Sequence, residues 1–356
     1  MIPEASIRKV VEEIRQSESR VAALTARLRK DNPAFSAPDI ADSRLFQPVE
    51  DVPAEGRIAA VDGGLLSQEL HALDLLIVRS AAVVFNHEAG KLKGYEFIPR
   101  AFPEPEVFVD YALEGHELAQ YIELRRLQSE IRLANEVLAK SECSALFLDG
   151  SIIPQHADKP PANSPLHPLY SSLIESYLRL YSAAEKRNCK LVGVIKDSKG
   201  KHFLSLLLRH AALASDSSIL QKTNDTALIF SLLQEQERTF AFRYASASDS
   251  PALRDLKGYE DKVWSCYIKA VKYDRPLRID FLLPRKDSKS IDEICSLVYS
   301  LSRHNKQYAY PPILIEADLR AALEQKEMDV LYQHITAALG LRPSIFRLRR
   351  NSRPFR

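Results

Sequence analysis

The spacing of apolar residues along the chain predicts one isolated helix followed by an α/β core. Residues 3–30 carry apolar side chains at helical spacing, and residues 32–55 contain four prolines that indicate an extended connection. Strand-like and helical patterns begin at residue 57. We therefore expect an N-terminal helix and connection over residues 1–50 and a core domain over residues 57–341.

The first half of this core predicts two strands that end in Asp-Gly. The apolar run IAAVDGG predicts a short strand ending at Asp62, and the following runs LDLLIVRSAAVVF and KLKGYEFIP predict a hairpin. A long helical pattern covers residues 117–140. The run ALFLDGS then predicts a buried strand ending at Asp149, because it is too short and too apolar for a helix.

The second half continues the alternation and ends in a basic tail. A helix over residues 169–186 leads to the strand CKLVGVI, and we expect an internal insertion at about residues 200–290. The tail covers residues 342–356. The remaining predicted elements are strands at 239–245, 263–270 and 277–283, a helix near 291–303, a Tyr-Pro-Pro turn, and a last helix through Leu341.

The composition argues against assigning this chain to several classes of enzyme. The chain has 11 glycines among 356 residues, less than half of the usual share of about 7%, so glycine-rich phosphate loops are disfavoured. Nine histidines show no HxH or HExxH spacing, and no Gly-x-Ser-x-Gly motif occurs. Zinc-hydrolase and serine-hydrolase interpretations therefore lack their defining residues.

Charge and cysteine usage indicate a soluble chain in a reducing compartment. The formal net charge is only +2, yet the tail holds six arginines and no acidic residue, which suits contact with DNA phosphate or with an acidic partner. The other interpretation is a solvated tail that binds neither. The four cysteines form no CxxC pair, and the charged N-terminus does not resemble a signal peptide. We expect a cytoplasmic protein without a membrane span.

Two strand-end aspartates indicate a site for a hard divalent cation. If the strands ending at Asp62 and Asp149 are neighbours, both carboxylates meet at one sheet edge, where oxygen ligands suit such an ion. A third carboxylate is expected from the helix between them. On that helix, which precedes the strand ending at Asp149, Glu130 flanks the apolar stripe and is the expected ligand. Glu123 is the alternative, whereas Glu136 lies on the opposite side of the helix.

The order of strand aspartate, hairpin, helix glutamate and strand aspartate resembles that of ribonuclease-H-like nucleases. Four short motifs add to this order: VDGG at 61–64, LDGS at 148–151, GVIKDS at 193–198 and YPPILIEAD at 310–318. With them, the chain resembles the NurA family of DNA-repair nucleases over roughly residues 57–340. This likeness predicts a mixed β-sheet flanked by helices, with an additional N-terminal helix and C-terminal insertions.

The resemblance adds three residues to the predicted site. In the family, a tyrosine is followed eight residues later by a histidine, and that spacing falls on Tyr310 and Asp318 here. Aspartate thus replaces the histidine; it remains a good ligand for a hard metal but does not supply an imidazole for proton transfer. A helix cap is the other interpretation of Asp318, and Glu316 is the nearest substitute ligand. Lys196 follows a strand where it is placed to meet a phosphate.

Taken with the residues, the resemblance implies a metal-dependent deoxyribonuclease. Manganese or magnesium would be held by Asp62, Glu130, Asp149 and Asp318. The implied activities are single-strand endonuclease and 5′-to-3′ exonuclease cleavage. The implied partners are a second copy of the chain and a hexameric HerA-type ATPase, acting in resection of DNA double-strand breaks.

Two other functions share parts of this pattern. An actin-like or sugar-kinase-like phosphotransferase also starts with a strand, an aspartate and a hairpin. Such proteins need Asp-x-Gly-x-Thr/Ser phosphate loops, whereas this chain has Asp62 followed by Gly-Gly-Leu-Leu. The third possibility is a DNA clamp or motor adaptor that keeps the fold without catalysis.

Overall fold

A computed structural model describes residues 3–71, 73–111, 113, 115–210, 217–245 and 250–340. The predicted basic tail at 342–356 therefore lies outside the described residues. The fold is an 11-stranded mixed sheet with helices on both of its faces.

The strands, in chain order, are β1 (Phe46–Pro48), β2 (Gly56–Glu69), β3 (Asp74–Glu88), β4 (Lys91–Ile98), β5 (Glu106–Asp110), β6 (Ala145–Asp149), β7 (Lys190–Ile195), β8 (Glu237–Thr239), β9 (Phe242–Arg243), β10 (Val263–Lys269) and β11 (Leu277–Leu282). The helices are α1 (Glu4–Asp31), α2 (Gly115–Lys140), α3 (His167–Lys186), α4 (His202–His210), α5 (Ser217–Gln221), α6 (Asp225–Leu232), α7 (Pro251–Asp255), α8 (Ser288–Ser302), α9 (Pro312–Ala321) and α10 (Gln325–Ala338). A short 3₁₀ helix covers His156–Asp158.

The order of strands confirms the predicted ribonuclease-H-like sheet. Strands β2, β3 and β4 form an antiparallel meander, as the hairpin pattern predicts. Helix α2 then returns the chain so that β6 pairs parallel with β2, and α3 does the same for β7 beside β6. Strands β11, β10, β8 and β1 extend the sheet beyond β7. The predicted domain boundaries remain a prediction.

Apolar residues on both faces of the central strands explain why the sheet is covered twice. In β2, Ala59 and Val61 pack with residues of α2 and α3, whereas Ile58 and Ala60 pack with residues of α8 and α9. All four side chains are fully buried. A strand that is apolar at every position needs a layer of helices on each side, which is what the sequence pattern of β2, β6 and β7 encodes.

The N-terminal helix is confirmed and packs on the body only through its second half. Val21, Leu24 and Leu28 of α1 are buried in a cluster that includes residues of α4 and α6. Arg29 adds an ion pair with Glu237, its Nη1 lying 2.7 Å from the carboxylate. The apolar residues of the first half, Ile7, Val10, Val11 and Ile14, are exposed.

Three predicted elements differ from the structure. The strand predicted at 239–245 is instead the two short strands β8 and β9, with residues 240 and 241 between them. Strand β2 does not end at Asp62 but continues to Glu69, because β3 pairs with it in register over its whole length. Gly63 and Gly64 are therefore strand residues, and a Cβ at Gly64 would overlap the Ala321 carbonyl at the end of α9. The last predicted helix is two helices, α9 and α10. Among the described residues, every helix is too short or too polar to span a bilayer.

Candidate metal centre

Asp62 and Asp149 lie side by side on neighbouring strands. Val61 of β2 is paired with Leu148 of β6, so the next residue on each strand is one of the two aspartates. Asp149 ends its strand as predicted, whereas Asp62 sits inside the longer β2. The predicted neighbouring arrangement of the two aspartates is thus present, although only one of them stands at a strand end.

Glu130 approaches this pair from α2. Its side chain is 3% exposed, and its Oε2 would lie 3.3 Å from a Cβ added at Gly63. The missing side chain of Gly63 therefore leaves the room that Glu130 occupies next to β2. Glu123, the alternative, is more exposed and is ion-paired with Arg126. The geometry thus favours Glu130 over Glu123 as the helix carboxylate of the cluster.

Tyr310 and Lys196 both hold Asp149. The Tyr310 hydroxyl donates to Asp149 Oδ1 at 2.9 Å, and Lys196 Nζ donates to Asp149 Oδ2 at 2.7 Å. Lys196 Nζ also lies 4.4 Å from the centre of the Tyr310 ring. Three predicted site residues from β6, from the segment after β7 and from the segment before α9 are therefore in direct contact.

Asp318 lies inside α9 and is exposed. Its backbone carbonyl accepts the Ala322 N–H at the end of the helix, so the alternative of an N-terminal cap is wrong. Its negative charge is one of the smaller causes that raise the pKa of Asp62 and of Lys196. Glu316, the substitute considered from the sequence, is instead paired with Arg320 on the same helix.

Crowding of carboxylates changes their proton affinity. Burial, together with the negative charges of Asp149 and Asp318, raises the pKa of Asp62 to about 7. Burial also raises the pKa of Glu130 to about 8, with Asp62 and Asp149 adding to the shift and Arg126 opposing it. Burial beside Asp149 raises the pKa of Tyr310 well above its ordinary value, so this phenol stays a hydrogen-bond donor.

Arg126 belongs to the candidate site but is not singled out by the sequence patterns. It lies between Glu123 and Glu130 on α2, and its Nη1 is 2.8 Å from Glu130 Oε2. Its charge also acts on Asp62. Spacings of three and four residues to two acids on one helix are the signal that could have identified it.

A second layer fixes the loop that follows Asp149. Ser151 donates to Oδ2 of Asp280 at 2.7 Å, and Asp280 Oδ1 accepts from Ser265 at 2.6 Å and from Arg278 Nε at 2.9 Å. Asp280 is fully buried on β11. Oδ2 of this carboxylate therefore holds the loop that follows Asp149, and Oδ1 ties the same carboxylate to β10 and β11.

The donor set fits a hard divalent cation. Asp62, Glu130, Asp149 and Asp318 supply only carboxylate oxygens, which such ions prefer, and a cation would relieve their mutual repulsion. Within the described residues, no three acidic, histidine or cysteine side chains already converge at ligand distances. The reason is visible in the contacts: Glu130 is directed at Arg126, and Asp149 at Lys196 and Tyr310.

Comparison with known proteins gives a consistent match. The family model of the NurA domain matches residues 56–323, well over half of the chain. No curated protein sequence is significantly similar. Among solved structures, the crystal structure of the NurA nuclease from Sulfolobus solfataricus aligns with a TM-score of 0.60 at 15% identity, covering 95% of this chain and 98% of that chain.

Two further structures align over nearly the whole length. A crystal structure of NurA bound to dAMP and manganese has a TM-score of 0.59 at 11% identity, covering 97% of this chain and 100% of that chain. A crystal structure of NurA with manganese has a TM-score of 0.56 at 10% identity, covering 94% and 98%. The fold of the described chain is therefore the fold of these proteins.

The raised pKa of Asp62 predicts that the metal-free protein is destabilised by this carboxylate at higher pH. The folded protein holds a proton on Asp62 up to about pH 7, whereas an unfolded chain releases it near its ordinary value, so stability falls as pH rises between the two. Asp62→Asn removes that loss. We expect the variant to gain of the order of 1 kcal/mol or more in unfolding free energy at high pH, since one pKa unit is worth about 1.4 kcal/mol.

Thermal unfolding in chelator at about pH 5 and about pH 8 measures this gain. The exposed Asp329→Asn serves as the matched control and should change neither value. A gain for Asp62→Asn that does not grow with pH, or a loss of stability at the higher pH, would contradict the electrostatic description.

Proposed function

This chain belongs to the NurA family, and from that premise we propose that it is a divalent-metal-dependent nuclease that hydrolyses phosphodiester bonds in DNA. The observation that carries the proposal is the packing of Asp62, Glu130 and Asp149 with Lys196 and Tyr310. Buried acids beside a lysine and a protonated phenol suit a polyanionic substrate delivered with a metal. Family membership favours this function over the phosphotransferase and the non-catalytic clamp.

Manganese is the proposed cofactor, with magnesium as the other candidate. Similar solved NurA structures contain manganese, and the oxygen-only donor set is one that both ions accept. Asp62, Glu130, Asp149 and Asp318 are the proposed ligands. These carboxylates would hold an ion that would supply an activated water and positive charge against the phosphate.

The remaining residues position the substrate and the ligands. Lys196 carries a positive charge: burial alone would lower its pKa, but the hydrogen bond and the charge of Asp149 raise it above its ordinary value. Its ammonium group is therefore available to a phosphate oxygen next to Asp149. Tyr310 orients Asp149 through Oδ1 and also reaches the Val194 carbonyl at 3.3 Å. Arg126 keeps Glu130 beside β2.

We predict that the full chain cleaves single-stranded DNA with added manganese or magnesium and not in excess chelator. Asp149→Asn and Glu130→Gln should each lower the rate on the order of 100-fold or more, because the loss of one charged group removes stabilisation of the transition state. Gel assays with an end-labelled oligonucleotide measure the rate.

Glu123→Gln is the matched control on the same helix and should keep at least most of the activity. An inactive Glu123→Gln beside an active Glu130→Gln would move the ligand assignment to Glu123. Robust cleavage in chelator, or full activity of Asp149→Asn, would discard the proposed site.

The replacement of the family histidine at position 318 makes a separate prediction. If Asp318 is a ligand, Asp318→Asn should weaken manganese binding and slow cleavage, and Asp318→His should recover part of both. Since Asp318 is exposed inside α9 and caps no helix end, neither change should alter the melting temperature. Calorimetric titration with manganese gives the affinity; equal affinity in all three proteins would remove Asp318 from the ligand set.

For the wider role, we propose single-strand endonuclease and 5′-to-3′ exonuclease activity, a homodimer, and cooperation with a HerA-type hexameric ATPase in double-strand break resection. Membership of the NurA family supports these proposals. The basic tail at 342–356 is a candidate contact for DNA or for the ATPase.

Deletion of residues 343–356 separates the two roles of the tail. If the arginines contact phosphate, the deletion should flatten the salt dependence of DNA affinity. If they contact the ATPase, DNA binding should persist while co-purification with a HerA-type protein is lost. A deletion that alters neither the salt slope nor the co-purification would show that the tail serves neither purpose.

A further inference from the structure

A group of three aromatic side chains, two of them exposed and one partly buried, lies two strands to the side of β2, which carries Asp62. Tyr95 and Phe97 are on β4, Phe102 follows that strand, and we call these three residues with Arg320 of α9 the aromatic ledge. Tyr95 is 67% exposed and Phe102 62% exposed. Large aromatic side chains at such exposure, grouped together, mark a binding surface more often than scattered surface residues do.

Arg320 organises the ledge. Its guanidinium carbon lies 4.7 Å from the centre of the Phe97 ring and 4.8 Å from that of Phe102, so the cation contacts both rings. Glu316 accepts from Arg320 Nε at 2.9 Å and fixes the guanidinium group. Tyr95 lies 5.5 Å from Phe97, centre to centre. The ledge is therefore an ordered set of flat groups rather than a collection of loose side chains.

The ledge is on the face of the sheet that carries Tyr310. Phe97 is paired with Val83 of β3, which in turn is paired with Ala60, two residues before Asp62. The ledge thus begins two strands, or about 10 Å, to the side of β2. Phe97 packs against the same apolar cluster as Tyr310, so the two surfaces are continuous.

Helix α9 lies between the metal site and the ledge. The end of α9 packs against β2 at Gly64, two residues after Asp62, and Arg320 of the same helix contacts the ledge. Leu319, next to Arg320 on α9, is 58% exposed. A flexible strand leaving the carboxylates can therefore cross the exposed ridge of α9 and reach the aromatic rings.

We propose that the aromatic ledge binds single-stranded DNA by stacking its bases on Tyr95 and Phe102, beside the scissile phosphate. This inference rests on the proposed nuclease function and adds a base-binding surface to it. Aromatic rings with a stacked arginine accept any base, because every base has a π-face. Lys91 and Lys93, exposed at the outer end of β4, add positive charge for the backbone.

Single-stranded DNA fits the ledge better than duplex DNA or a protein does. Bases in a duplex already stack on one another and are not free to contact Tyr95 or Phe102. Lys91 and Lys93 of β4 are exposed, and Arg100, which follows β4, is paired with Glu104. The lysine charges suit a polyanionic strand, and a protein partner is the outcome that the abasic and oligothymidine comparison would reveal. The ledge therefore combines flat groups with a polar border, as nucleic-acid surfaces do.

The test compares Tyr95→Ser and Phe102→Ser with wild type, and uses Tyr111→Ser as the matched control. Tyr111 is also exposed, at 74%, but follows β5, which pairs with the opposite end of β3. Fluorescence anisotropy in chelator gives the affinity for a labelled oligothymidine and for an abasic oligomer of equal length. The rate of hydrolysis of the small ester thymidine 5′-(4-nitrophenyl phosphate) with manganese measures the activity of the metal site independently of the ledge.

We expect each ledge variant to bind oligothymidine at least about fivefold more weakly, to bind the abasic oligomer like wild type, and to hydrolyse the small ester normally. Tyr111→Ser should match wild type throughout. Unchanged oligothymidine affinity in both ledge variants would overturn the proposal. So would a shift in sedimentation coefficient with unchanged affinity, which would make the ledge an interface between copies. If wild type cleaves neither the ester nor the oligonucleotide, the nuclease proposal fails instead.

Discussion

The repulsion between buried carboxylates is the constraint around which the rest of this molecule is arranged. The parallel pairing of β2 with β6 sets Asp62 and Asp149 side by side, and Glu130 is buried next to them. Such a group is stable only if positive charge or protons offset it. The chain supplies Arg126 to Glu130 and Lys196 to Asp149. The pKa values of Asp62 and Glu130 are still raised, first by burial and then by the neighbouring negative charges, so the compensation is incomplete.

Incomplete compensation is what a metal-binding site requires. If arginine and lysine neutralised the carboxylates completely, a cation would gain little by binding. If no positive charge neutralised them, their repulsion would oppose the pairing of β2 with β6. The surrounding sheet holds the carboxylates in place against their repulsion, because β2, β6 and β7 are buried on both faces and Asp280 fixes the loop after Asp149. Stability elsewhere in the fold thus permits a destabilising site at its centre.

Much of this arrangement could be predicted from the sequence, because short apolar runs and an Asp-Gly at Asp149 report burial and a strand end directly. The length of β2 could not, because pairing with β3 overrides the turn signal of Gly63-Gly64. The break between α9 and α10 has no glycine or proline within it, so it too was not visible. Arg126 could have been recognised from its spacing to Glu123 and Glu130 on one helix. The aromatic ledge could not, because it depends on which side chains of β4 and α9 meet, and periodicity within one segment does not contain that information.

Everything proposed for this site depends on a divalent cation bound by the carboxylate cluster. Crystals of the full chain soaked in manganese chloride, with data collected to give anomalous differences for manganese, would show that ion. We expect an anomalous peak within coordination distance of Asp62, Glu130 and Asp149, and its loss in the Asp149→Asn protein. Manganese bound elsewhere, or a cluster that still pairs only with Arg126 and Lys196 at saturating manganese, would contradict it.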